Sequence, residues 1–207
     1  GRLIEVYALE GQNLHTPMPE DYEKGRVNAH SGNEVPSIAI IPFENKGAEE
    51  NAFYAYGISV DLINDCADAG LIKVVPMQEI EKIDYHTMNF KELSKTFNSR
   101  YISQGVLWKM DNIFQLSINL YDSKRDSVIG SDRWQENWSA LTHIKDKLCD
   151  GLLKTLNINS KESYKVGTFS TEAYKFYLEG VFTWEKREAE NDILKSRELF
   201  NKAIKLN

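Results

Sequence analysis

The sequence predicts a mixed α/β fold followed by an all-α helical hairpin, and three observations carry that prediction. Two near-continuous apolar runs, residues 37–43 and 71–76, flank a segment of helical periodicity. Strand, helix, strand in that order closes as a right-handed parallel crossover. Residues 100–134 then alternate apolar and polar side chains in three segments separated by polar turns, the pattern of an antiparallel meander with one wet face. Residues 171–206 carry two amphipathic helical patterns around a charged turn. The expected architecture is a mixed sheet, parallel βαβ then antiparallel meander, flanked by helices, with a helical hairpin after it.

The elements follow in order. Residues 2–9 alternate well enough for a short half-buried strand, whereas residues 11–35 are rich in Gly, Asn, Pro, Glu and His without a sustained period and read as a linker. In the run 37–43, Pro42 falls near the strand's end, where a missing N–H does least harm. Residues 49–69 place Ala55, Ile58, Leu62, Cys66 and Ala69 at helical spacing, with Gly70 as the C-cap. Residues 77–83 and 90–97 each suit a short helix. Strands at 100–110 and 113–121 are joined through Asp111-Asn112, and Phe114, Leu116, Ile118 and Leu120 mark the buried face of the second. A third strand is expected at 127–134. A helix at 138–156, with Leu141, Ile144, Leu148, Leu152 and Thr155 on one face, is expected to cover the sheet. Residues 157–167 are polar, and the last two helices are expected at 171–186 and 193–206.

Composition narrows the function. In 207 residues, 31 acidic against 25 basic side chains give a formal charge of −6 and no Lys/Arg run interrupts the balance, so no nucleic-acid partner is expected. No stretch approaches the roughly 20 apolar residues of a membrane span. The two cysteines, Cys66 and Cys149, sit in apolar helical patterns without a second ligand at metal-binding spacing. They read as buried free thiols, a usage that fits a reducing compartment and a cytoplasmic protein.

Three motifs carry a resemblance. Ile38-Ala-Ile-Ile-Pro-Phe43, Gly57-Ile-Ser-Val-Asp61-Leu62-Ile63 and Tyr101-Ile-Ser-Gln-Gly105, in that order within residues 37–157, resemble the TolB amino-terminal-like domain that recurs beside tetratricopeptide repeats in bacterial signalling proteins. The chain departs from that pattern at Tyr56, where the family has an acidic residue, at Val60 in place of Glu, and at Gly130 in place of Trp. These departures bear on any shared ligand site. Glu172-Ala-Tyr-Lys-Phe-Tyr-Leu-Glu-Gly180 and Ser196-x-x-x-Phe200-x-x-Ala203-Ile204 are similar to the two helices of a tetratricopeptide repeat, with residues 158–168 as linker and 169–207 as a first repeat. A single repeat leaves its outer face uncovered, so further repeats are expected to follow. Residues 1–10, including Arg2-Leu-Ile-Glu-Val-Tyr7, resemble the closing strand of a class III nucleotide cyclase domain, with 11–36 as the connecting linker. That resemblance implies a homodimeric parent cyclase whose catalytic residues lie upstream.

For this chain itself no catalytic residue, cofactor or metal is expected. It contains no Gly-rich phosphate loop, no nucleophile elbow and no His-Glu-x-x-His pair. His15, His30, His86 and His143 are dispersed in mostly polar context and read as surface residues. Asp61, Asp65 and Asp68 share one flank of the first long helix. That flank reads as a solvated edge, or functionally as a docking surface or metal site. Tyr174, Phe176, Tyr177, Phe182 and Trp184 crowd the first hairpin helix, and most read as core, filling the joint between the hairpin helices and the junction with the α/β domain. Those left exposed would take a protein or peptide partner. The candidate interaction surface is therefore Asp61, Asp65, Asp68, Tyr174, Tyr177 and Trp184. Two functions compete: a non-catalytic regulatory region of a nucleotide cyclase, and a free-standing binding or scaffold module of the TolB-like type. An unrecognised enzyme site, if present, would lie at the carboxyl ends of the first two strands, near Phe43, Glu44 and Pro76.

Overall fold

A computed structural model describes residues 35–70, 72–156 and 170–207. The strand expected at 2–9, the linker at 158–168 and nearly all of the linker at 11–36 lie outside the described residues. The strands are β1 (Ser37–Ile40), β2 (Glu44–Asn45), β3 (Lys73–Val74), β4 (Tyr101–Met110), β5 (Ile113–Asp122) and β6 (Ser127–Asn137). The helices are α1 (Ala52–Asp68), α2 (Met77–Ile80), α3 (Phe90–Thr96), α4 (Leu141–Thr155), α5 (Thr171–Glu185) and α6 (Glu190–Leu206). Strand order is β3-β1-β4-β5-β6, with β2 also on β4. β1 runs parallel to both β3 and β4, and β4, β5 and β6 form the antiparallel meander. The fold is mixed α/β, as the sequence patterns require.

The apolar run 37–43 does not stay a single strand. Its pairing with β4 slips by one residue between Ile40 and Glu44, so the segment around Pro42 bulges away from the ladder. Pro42 has no N–H to lose, but Phe43 has one. The Ser59 hydroxyl of α1 accepts it at 2.8 Å and itself donates to the Ala55 carbonyl at 2.8 Å. The bulge swings the Phe43 ring over Gly105 of β4. A Cβ on Gly105 would lie 2.6 Å from that ring and 2.9 Å from the Ser117 carbonyl oxygen, so only glycine fits.

One face of the sheet carries Phe114, Leu116 and Leu120, packed under Ile58 and Leu62 of α1 and Leu141, Leu148 and Leu152 of α4. The other face is covered at one end by α3, where Phe90 stacks on Tyr121 with ring centroids 5.1 Å apart. Its remainder is left uncovered by the described residues. The Asp111-Asn112 turn is a two-residue hairpin loop with Asp111 at φ 47°, a conformation Asp tolerates better than most residues.

Several boundaries differ from expectation for local reasons. β6 continues to Asn137, and the expected helix at 138–156 opens with a 3-10 turn, Trp138–Ala140, before α4. α6 starts at Glu190 rather than 193, because the Asp192 carboxylate caps it, accepting from the backbone N–H groups of Glu188 and Ala189 at 3.0 and 3.1 Å. These two bonds hold the Asp192 carboxyl below the usual range. The helix expected at 77–83 stops at Ile80, and the strand expected at 71–76 is only Lys73–Val74.

α5 and α6 form an antiparallel hairpin. Ser170, which caps α5, donates to the Leu206 carbonyl at the far end of α6. Gly180 lets the Phe200 ring close on α5, since a Cβ there would stand 2.7 Å from it. Sequence patterns set this hairpin apart from the α/β domain as a second module. In the structure its α5 packs along α1, and Tyr174 and Leu178 belong to the same core as the sheet.

Candidate functional site: the junction of α1 and the hairpin, and the surfaces around it

Helix α1 is covered on two sides, by the sheet and by α5. Gly57 removes the side chain at the closest approach, where a Cβ would meet Leu178 Cδ2 at 2.7 Å. One turn later comes Asp61, 2% exposed. Tyr174 and Tyr177, three positions apart on α5, reach it together. The Tyr174 hydroxyl donates to Oδ2 at 2.7 Å and the Tyr177 hydroxyl to Oδ1 at 2.8 Å. Both rings stack at 6.0 Å, and Tyr177 leans on Phe200 of α6. Burial, then the negative charge of Asp61, pushes both phenols well above the ordinary tyrosine range, so they remain donors.

The expected interaction surface is thus corrected at three positions. Asp61, Tyr174 and Tyr177 are engaged with one another inside the chain, because a buried carboxylate needs donors and the hairpin supplies two. Asp65 is half-buried beside them and Asp68 is exposed. No group of three or more His, Cys, Asp or Glu side chains among the described residues can hold a metal. Of the six expected surface residues, Asp68 and Trp184 are exposed. Trp184 is 40% exposed, with the Arg187 guanidinium 4.1 Å above its ring.

The three motifs behind the resemblance come together in one place. β1 pairs with β4, Phe43 rests on Gly105, Ser59 holds Phe43, and Gly57 receives Leu178. Their work is packing. The departures are accommodated too. Tyr56 meets Phe182 edge-on at 5.6 Å, with the Lys186 ammonium 4.8 Å from its ring centre. Lys186 also pairs with Glu81. A Cβ at Gly130 would stand 2.7 Å from Thr155 Cγ2, so a side chain there requires Thr155 to shift.

Besides the expected Trp184, several exposed apolar side chains were not foreseen. Trp108, Met110 and Ile113 share the open sheet face at the β4–β5 tip, Met110 and Ile113 directly paired. On the hairpin, Trp184 is joined by Ile193, Leu194 at 54% and Ile204 at 73% exposure on α6. The spacing of Ile193 and Ile204 was legible as helical, but the side they face depends on where α5 docks. At the carboxyl ends of the first strands, where any unrecognised reaction was expected, Phe43 is buried and Glu44 pairs with Lys46. A cleft of about 150 Å³ lies elsewhere, between β6 and α4, lined by Trp134, Leu148, Gly151 and Thr155 among others.

No protein-family model and no curated protein matches the chain. Among solved structures it is similar to TolB from Acinetobacter baumannii, at 16% identity over 60% of this chain and 29% of that one, with a TM-score of 0.45. Lipoprotein GNA1162 from Neisseria meningitidis gives 13% identity over 57% and 99% of the two chains and a TM-score of 0.42. The C-terminal domain of LpoB from Salmonella enterica gives 15% identity over 52% and 86%, with a TM-score of 0.40. The chain thus spans under a third of the TolB structure it resembles, and no activity or partner is carried across from any of the three.

Proposed function

We propose that this chain is a non-catalytic binding or scaffold module of the TolB-like type, in which the α/β body holds the helical hairpin in a fixed pose and the hairpin's outer side takes a protein partner. The observation that carries this reading is the contrast between the two sides of the hairpin. The inner side is locked to α1 through Asp61, while the outer side leaves Trp184, Ile193, Leu194 and Ile204 in solvent. Exposed apolar groups on a rigid element are where partners bind. Ser196, Leu199 and Ala203 face inward against α5, in keeping with a first tetratricopeptide-type repeat. The reading as a regulatory region of a nucleotide cyclase drew on residues 1–10, which lie outside the described residues, and the fold adds nothing in its favour. Among the described residues no helix is long and apolar enough to cross a membrane.

The test is site-specific photo-crosslinking in the native cell. A photoreactive residue at position 193 or 204 is expected to capture one discrete protein, while the same group at Asn119, on the polar open face of the sheet, captures none. Equal capture at all three positions, or none at any, defeats the reading.

A further inference from the structure

The cleft between β6 and α4 combines features that core packing does not demand. Gly130, Asp132 and Trp134 of β6 stand directly opposite Leu120, Ile118 and Leu116 of β5, and so share the sheet face that the helices cover. Asp132 puts a carboxylate between a glycine and an indole in that row. The next acid on the same face, Glu136, pairs with the Lys147 ammonium at 3.6 Å, whereas no described residue forms a hydrogen bond or ion pair with the exposed Asp132. Across the cleft, Gly151 interrupts α4. Glycine inside a helix is destabilising relative to alanine, and close packing does not require it here. The nearest atoms that a Cβ would meet are Asp132 Oδ2 at 3.8 Å and Trp134 Cζ2 at 3.9 Å, both ordinary contact distances. What the missing methyl keeps clear is the space beside the carboxylate and the indole. The remaining walls are apolar, with Leu148 and Leu152 of α4 on one side. Ile129, the extra residue of a β-bulge between Val128 and Gly130, joins them from β6. A space of about 150 Å³ accommodates a molecule about the size of benzene.

We propose that this cleft binds a short primary alkylammonium, its chain against Leu148, Leu152 and Trp134 and its N–H groups donating to the Asp132 carboxylate. The inference is independent of which partner the hairpin binds. Apolar walls with one carboxylate set the charge of the ligand. A short carboxylic acid would meet Asp132 as a like charge, and a neutral alcohol forgoes the charge-assisted hydrogen bond. One carboxylate among apolar side chains also lacks the converging oxygens that a divalent cation needs. Free amines and lysine side chains share the chemistry of a primary ammonium on an alkyl chain, and the experiment separates them.

The experiment titrates the isotope-labelled full chain with n-butylammonium, n-butanol and butyrate at constant ionic strength, and follows the backbone amides and the Trp134 indole N–H by nuclear magnetic resonance. The expected result is a saturable shift centred on Gly130, Asp132 and Gly151 with n-butylammonium, at a dissociation constant of about 1–10 mM. Binding of n-butanol should be about tenfold weaker, and butyrate should leave these signals in place. Asp132→Asn is expected to bring n-butylammonium down to the level of n-butanol. Gly151→Ala, which sets a methyl beside Asp132 and Trp134, should weaken both ligands while unfolding in urea no earlier than the wild type. Nα-acetyl-lysine methylamide identifies the source: binding tighter than that of n-butylammonium assigns the site to a lysine of a protein partner, and weaker binding to a free amine. Shifts that do not saturate, that spread evenly over the surface acids, that are as large with butyrate or n-butanol, or that persist unchanged in D132N would each overturn the proposal.

Discussion

Replacing Asp61 with Ala tests whether the hairpin is held to the α/β body by a shared charge or merely rests against it. The wild-type carboxylate accepts one phenol on each oxygen, at 2.7 and 2.8 Å, in a place 2% exposed to water. A hydrogen bond to a charged group contributes about 1.5–3 kcal/mol, and a buried donor left without a partner costs about 1–3 kcal/mol. Tyr174 is fully enclosed and Tyr177 partly so, which places Asp61→Ala at about 3–5 kcal/mol of destabilisation. Tyr174→Phe removes one bond and should cost about 1.5–3 kcal/mol. The informative quantity is the double variant. With Asp61 already gone, Tyr174→Phe removes an unpaired hydroxyl rather than a bond, so the combined loss should fall short of the sum by about 1.5–3 kcal/mol. Urea unfolding of the four proteins, followed by circular dichroism, measures this directly. The denaturant slope also shows whether the native state has loosened. Additivity within about 0.5 kcal/mol would refute the clamp and leave the hairpin's pose to apolar packing alone.

Further outcomes follow from the same structure. Gly105→Ala places a methyl group against both the Phe43 ring and the Ser117 carbonyl and should cost about 1–3 kcal/mol by overpacking, whereas Gly151→Ala, whose nearest neighbours stand 3.8 Å away or farther, should be tolerated in the same urea series. Ser59→Ala leaves the Phe43 N–H without its acceptor. It should lower stability by about 1–3 kcal/mol, and hydrogen exchange at Phe43 should quicken. Burial first, and neighbouring acids second, raise Tyr54, Tyr56, Tyr174 and Tyr177 above the ordinary phenol value. The unfolded chain therefore releases these protons first. Stability is complete below about pH 10 and falls as the pH climbs past it. Phenolate absorbance should rise in one cooperative step with unfolding, and gradual independent titration of all ten tyrosines would contradict this.

The fold was legible where the sequence repeats its instruction. In β5, Phe114, Leu116, Ile118 and Leu120 alternate with polar residues, and that alternation fixed both the strand and its buried face. Pro42 announced the end of β1, but the resumption of pairing in β2 rests on a bulge stabilised by Ser59, which lies sixteen positions away on another element. The candidate site was harder for the same reason. Asp61 in an amphipathic helix reads as solvent-facing until a second helix covers it, and its partners lie 113 and 116 positions downstream. Small residues at 57 and 59 were the available sign that something approaches α1 closely on more than one side.

The enclosure of α1 has a consequence for how such proteins can diverge. A helix pressed by the sheet on one side and by a hairpin on another has little freedom to drift, since a substitution that suits one neighbour is vetted by the other. A descendant that shed the hairpin would be released from half of that scrutiny. Position 57 could then acquire a side chain, and position 61, facing water, would have no reason to remain an acid matched to two tyrosines. The residues at 57 and 61 should therefore serve as a marker, readable from sequence alone, of whether a related α/β domain still carries its helices docked.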